Sequence, residues 1–158
     1  MKYTEQEVIQ FVEEEDVKFI RLAFCDVFGR QKNVSIMPGE LRRAFRYGIA
    51  IDASAIRGFG GEVHSDIFLH PSPDTLAILP WRPEQGKVVR MYCTVTYPDG
   101  SFFENDSRSI LIRAVEDAAR EGYSFYFGAE MEFYLFQLDE NGKRTFVPYD
   151  EAGYMDLA

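Results

Sequence analysis

An eight-residue run rich in apolar and aromatic side chains, Val17-Lys18-Phe19-Ile20-Arg21-Leu22-Ala23-Phe24, is followed at once by the turn chemistry of Asp26 to Gly29. A strand this apolar must be covered, and a turn this close to its end sends the chain straight back. Residues 31–36 are predicted to return as a second strand. Before the pair, Thr4 and Glu7 fit a capping box, and Val8, Ile9, Phe11 and Val12 recur at helical spacing, so 4–14 reads as a short amphipathic helix. After it, Pro38 suits a first helical turn and Gly48 the position just past a helix end, with Leu41, Ala44 and Phe45 forming one face between them.

Residues 52–74 are rich in glycine, proline and small side chains and show no sustained periodicity, so they read as a long loop of the kind that is usually functional or mobile. Residues 75–79 and 87–97 are predicted strands, and Pro98-Asp99-Gly100 turns the second into Ser101-Phe102-Phe103. Strands around two short helices make a small α+β domain ending near residue 105. A helix follows, capped by Asp106 or Ser107, striped by Ile110, Leu111, Ala114, Val115 and Ala118, and closed by Gly122. Residues 123–138 are predicted to form one or two strands, and Asn141-Gly142 a hairpin turn. The domains are therefore placed at 1–105 and 106–158.

With 14 Phe and 9 Tyr the chain carries more aromatic surface than a disordered segment would, so it builds a core. Its net charge of -9 is spread along the chain and repels phosphate backbones and anionic bilayers, which argues against nucleic acid and membrane partners. Cys25 and Cys93 are too few for a disulfide framework and read as two buried thiols. With no apolar signal region at Met1 and no run of membrane-spanning length, a cytoplasmic protein is expected.

The sharpest local feature is Gly128-Ala129-Glu130-Met131-Glu132-Phe133. On a strand, Ala129, Met131, Phe133 and Leu135 share one face, and Glu130 and Glu132 the other with their Cα atoms about 6.5–7 Å apart. Paired carboxylates suit a hard cation such as Mg²⁺ or Mn²⁺; the plainer alternative is a half-exposed strand with its glutamates on the wet side. Tyr134 and Phe136 continue the glutamate face, which weighs against simple solvation. Asp52, at the head of the long loop, suits a general base or a cation site, or else a turn capped through its own backbone. Gly58, Gly60 and Gly61 match neither a P-loop nor a dinucleotide fingerprint and read as loop flexibility. His64 and His70 lack a third metal ligand and read as surface or hydrogen-bonded loop residues. Arg42, Arg43 and Arg46 read as a solvated helix face.

In their order, IDASAIRGF, SDIFLHPSPDTLAILPW, PDGSFFENDSR, GAEMEFYLF and GYMDLA resemble the opening of type I, bacterial-type glutamine synthetases, over a stretch from about residue 17 to Ala158. The resemblance implies a β-grasp domain leading into the truncated start of a catalytic domain. In the family each active site lies between two subunits of a ring, with the β-grasp domain completing the neighbour's site, and two six-membered rings stack into a dodecamer. The implied reaction is ATP-dependent ligation of ammonium to glutamate through γ-glutamyl phosphate, with Mg²⁺ or Mn²⁺ as cofactor. Glu130 and Glu132 match metal-ligand glutamates belonging to two different metal sites. Asp52 matches the aspartate that binds ammonium and helps remove its proton in the neighbouring subunit. Phe59 matches an aromatic position near the nucleotide.

Two departures stand out. The family's Asp-Gly-Ser-Ser is Asp52-Ala53-Ser54-Ala55 here, so Ala55 removes a hydroxyl from the ammonium site. An arginine that many Gram-positive members carry for feedback control aligns with Gly61. The chain also ends where the family continues into most of its catalytic domain, so this stretch alone is expected to be inactive and, over 106–158, prone to self-association through unpaired strand edges. The alternative is a non-catalytic β-grasp module that binds or regulates rings of the full-length enzyme.

Overall fold

The computed structural model describes residues 3–60, 66–81 and 86–156. Gly61 and His64 lie outside the described residues. The chain divides into two compact units, Met1–Ser124 and Phe125–Ala158.

Helix α1 (Glu5–Glu14) begins at the predicted capping box: Glu7 N–H donates to Thr4 Oγ1 at 3.2 Å, and Thr4 N–H donates to Glu7 Oε2 at 2.7 Å. The helix buries Val8, Ile9 and Val12. Strand β1 (Phe19–Cys25) pairs antiparallel with β2 (Gln31–Ile36) in the register Ile20 to Ile36. The turn between them is built on Asp26, whose Oδ1 accepts from Phe28 N–H at 3.0 Å and Arg30 N–H at 2.9 Å. Burial pushes the Asp26 carboxyl up, but those bonds and the charge of Lys32, 3.6 Å away, outweigh it and hold the group below its ordinary value. Pro38–Glu40 forms a 3₁₀ turn leading into α2 (Leu41–Tyr47), which Gly48 ends as expected.

The rest of the first sheet is β3 (Ile49–Asp52), β4 (Asp66–Pro71), the short β5 (Ala77–Ile78) and β6 (Val88–Thr96). The order is β2-β1-β6-β4-β3, with β5 beside β6. Among the described residues only β1 and β6 run parallel, Phe19 opposite Val88 through Ala23 opposite Tyr92. One face of the sheet packs Ile20, Leu22, Ile67, Leu69, Val89, Met91, Cys93 and Val95 against Val8, Val12, Leu41 and Ala44 of the two helices. A two-layer α+β core results.

The 52–74 segment is not one loop: β4 runs through its second half. Ile67, Leu69 and Pro71 alternate inward with Asp66, Phe68 and His70, but Phe68 and Pro71 blur that alternation in the sequence. The hairpin expected at 101–103 shrinks to one bridge, Thr96 to Phe102. Cys93 is fully buried and its thiol is pushed up to about 12 by that burial, whereas Cys25 is only half-buried rather than fully enclosed.

Helix α3 (Ser107–Arg120) is capped by Asp106, which is fully buried. Asp106 Oδ2 accepts from Ser109 N–H, from the Ser109 hydroxyl at 2.5 Å and from Val95 N–H of β6 at 3.1 Å. This carboxylate ties the first turn of α3 to the centre of the sheet. The apolar stripe expected to bury the helix is not buried: Ile110, Leu111 and Val115 are exposed and only Ser109 is enclosed.

The second unit contains a hairpin, β7 (Phe136–Leu138) with β8 (Arg144–Pro148). Its turn is organised by Asp139, whose Oδ1 accepts from Asn141 and Lys143 N–H. The strands expected across 123–138 are absent before Phe136. A strand exists through a ladder, and among the described residues the backbone from Ser124 to Tyr134 has no neighbour to bond. No helix among the described residues is long and apolar enough to cross a membrane.

Candidate functional site

Asp52 is the last residue of β3 and the N-cap of the 3₁₀ turn Ala53–Ala55. Its Oδ1 accepts from Ser54 N–H at 2.8 Å, the backbone-capping arrangement open to it from sequence. Hydrogen bonds from Ser54 hold the exposed carboxyl below its ordinary value, so it is an anion at neutral pH. Ala53 is buried beneath the turn, while Ser54 and Ala55 are exposed.

The sheet brings a second carboxylate to Asp52. Asp66, the first residue of β4, sits directly opposite it in the antiparallel register. Two like charges in opposed positions repel, and a cation between them relieves both. Sequence reasoning missed Asp66 because it lay in what read as loop. The available signal was the Ile67 and Leu69 alternation behind it; the register that pairs it with Asp52 is not legible from sequence.

The loop after Asp52 is held from three sides. Phe59 is 4% exposed and packs on Phe103 at 4.9 Å and Phe24 at 5.9 Å between ring centroids. Gly58 has φ +87°, and a Cβ there would stand 2.3 Å from Val27 Cγ2, so this glycine is required by a close approach and not only by flexibility. Asn105 donates to the Gly58 carbonyl at 3.1 Å. Phe59 is therefore a core anchor of the loop, with its ring covered.

Of the remaining candidates, His70 is hydrogen-bonded, Nε2 to Thr96 Oγ1 at 3.1 Å, and burial lowers its pKa. Arg42 and Arg43 pair with Glu13 and Glu40 on an exposed face, as predicted.

Glu130 and Glu132 lie in the second unit and are both exposed. The expectation that they share one face of a strand is corrected: residues 128–135 form no strand, and Tyr134, taken as a sign that the face was covered, is 89% exposed. Their oxygens have the chemistry a hard cation prefers, but two carboxylates do not complete a six-oxygen shell. Among the described residues no three His, Cys, Asp or Glu side chains converge as a metal cage.

Comparison with known proteins covers almost the whole chain. The glutamine synthetase β-grasp domain matches residues 16–98, and the glutamine synthetase catalytic domain matches 104–157. A glutamine synthetase of Clostridium saccharobutylicum is 48% identical over 99% of this chain, and one of Methanosarcina mazei 43% identical over 98%. In each case the chain spans 35% of the relative's length. A cryo-EM structure of Plasmodium falciparum glutamine synthetase superposes with a TM-score of 0.69 over 77% of this chain and 24% of that one, at 19% identity, a likeness of fold alone. With a β-grasp domain followed by the start of a catalytic domain, the chain belongs to the glutamine synthetase family.

Proposed function

We propose that this chain is the N-terminal part of a bacterial-type glutamine synthetase, a cytoplasmic ligase that joins ammonium to glutamate through γ-glutamyl phosphate at the expense of ATP. Residues 1–105 are assigned to the β-grasp domain and 106–158 to the opening of the catalytic domain, a division supported by family matches over 16–98 and 104–157. The observation that carries the reading is Asp52, an exposed and ionised carboxylate fixed by Ser54 and facing Asp66 across the β3–β4 ladder.

A carboxylate held below its ordinary pKa suits binding NH₄⁺ better than deprotonating it. Asp52 therefore concentrates and orients the cation, and proton loss is driven by attack on the activated carbonyl. Ala55 leaves this site without one hydroxyl, so the backbone N–H of Ser54 carries the orientation of Asp52. Phe59 contributes as the anchor of the loop that the family places near the nucleotide. Glu130 and Glu132 each supply one ligand to separate Mg²⁺ or Mn²⁺ sites, which neutralise phosphate charge during transfer. Assembly into a homo-oligomer, a dodecamer by family pattern, brings Asp52 to a neighbour's site.

On this reading the purified 158-residue chain makes no glutamine from ATP, glutamate, ammonium and Mg²⁺, and robust glutamine formation would overturn the claim of inactivity. Joining residues 1–156 to the remaining two thirds of the Clostridium saccharobutylicum enzyme restores ATP-dependent synthesis. In that chimera Asp52→Asn lowers kcat/KM for ammonium by about 100-fold or more while leaving ATP affinity unchanged. An Asp52→Asn chimera with unaltered ammonium kinetics removes Asp52 from the site.

A further inference from the structure

The parallel pairing of β1 with β6 sets Arg21 directly opposite Arg90. Ile20 and Leu22 on one strand and Val89 and Met91 on the other are fully buried in the core, so alternation puts both arginines together on the opposite face of the sheet. Strands are about 4.8 Å apart, which makes this a close pair of like charges. Neither arginine forms an ion pair with a described carboxylate. Shortage is not the reason, because the chain holds 26 Asp and Glu against 17 Lys and Arg.

The Nε atoms of both arginines are buried and have no hydrogen-bond partner. A guanidinium N–H taken out of water without an acceptor is unfavourable, and two side by side are more so. Arg90 is otherwise held in place: its Nη1 donates to Tyr92 Oη at 3.0 Å, its Cζ lies 4.1 Å from the Tyr92 ring centroid, and Tyr92 Oη donates to Gln31 Oε1 at 3.2 Å. Arg108 has the same orphaned Nε, but it stands on α3, where its Nη2 donates to Ser72 Oγ at 3.4 Å.

We propose that Arg21 and Arg90 form a binding site for a small organic anion, whose carboxylate or phosphate oxygens accept from both guanidinium groups. Such a ligand cancels the repulsion of the pair, and as the two guanidinium groups turn to meet it their Nε–H donors, enclosed in the free chain, gain acceptors, as planar guanidinium forks do with oxyanions. Ser35, opposite Arg21 on β2, adds a hydroxyl at the rim. Phe19, two residues before Arg21 on the same face and 46% exposed, offers an apolar edge for a short carbon skeleton. The site is separate from Asp52 and lies at the other side of the sheet order, on the β1–β6 seam.

The test is ¹⁵N NMR of arginine Nε–H resonances in the full chain, titrated with succinate, with inorganic phosphate, and with sodium chloride at matched ionic strength. Saturable downfield shifts of Arg21 and Arg90 with succinate or phosphate, absent with chloride, support the proposal. Saturation by succinate alone assigns a carboxylate, and by phosphate alone a phosphate. Arg21→Gln and Arg90→Gln each weaken binding at least tenfold, whereas Arg43→Gln on α2 does not. Linear shifts shared by Arg43, or a response equalled by chloride, overturn the site. Nε–H groups already bonded without added anion, and released on dilution, overturn it in favour of a carboxylate from a second copy of the chain. The unsubstituted chain decides the matter on its own resonances if a variant does not fold.

Discussion

Phe24 and Phe127 are the same side chain in opposite circumstances: the first is 4% exposed and the second 90%. The contrast runs through both units. Between Val8 and Ser109 the chain encloses a continuous core, while among residues 125–156 Phe125, Met131, Phe133, Phe146 and Tyr154 are all exposed and none is buried. The two regions have comparable appetite for burial; what differs is partnered backbone. The first unit supplies six strands that satisfy one another and two helices to cover them. The second supplies one hairpin. An apolar sequence makes a core only where its peptide groups have a ladder to join.

That contrast can be broken or sharpened by substitution. The largest effect is expected from Leu22→Ala, which empties a fully buried position of β1 and costs about 2–5 kcal/mol in urea unfolding followed by far-UV circular dichroism. A cost below about 1 kcal/mol would mean the first core is loose. Gly58→Ala forces a Cβ against Val27 at positive φ and should cost about 1–3 kcal/mol, with a larger loss of protection at Gly58 and Phe59 amides than in β6 by hydrogen exchange.

Acid comes next. Asp26 has a folded pKa below its unfolded value, so its contribution is fully present above the unfolded value near 4 and is lost as pH falls through the folded one. Asp26→Asn should therefore flatten the decline in melting temperature below about pH 4. A parallel decline in both proteins would remove Asp26 from the acid response. The smallest effect is expected from Phe133→Ala in the second unit, within about 0.5 kcal/mol, since its ring is 71% exposed. A cost like that of Leu22→Ala would show that the second unit is packed in solution.

Much of the first unit was legible from residues alone. The Thr4–Glu7 box, the Asp26 turn, the Pro38 and Gly48 boundaries and the Asp106 cap are local signals, set either by a capping side chain a few residues from the backbone it bonds or by the backbone preference of the boundary residue itself. What failed was non-local. Strand β4 was hidden because Phe68 and Pro71 interrupt its alternation, and with it went Asp66 and its position opposite Asp52. The orphaned arginines were equally invisible, since nothing in the sequence says that Arg21 and Arg90 meet. The opposite error occurred at 128–135, where real alternation around Glu130 and Glu132 predicted a strand that has no neighbour among the described residues. The stripe of α3 failed likewise: its spacing is helical, but only the first turn meets the sheet.

The parallel seam between β1 and β6 also has a consequence in time. Strand β1 leaves the ribosome early, yet its inner neighbour is the last strand of the sheet, so Phe19 must wait for Val88. At about 5–20 residues per second that delay is on the order of ten seconds, during which the β1–β2 hairpin has one edge unsatisfied. Nascent chains of this protein should therefore be most sensitive to chaperone occupancy before Thr96 emerges, and should gain protease resistance in one step once it does.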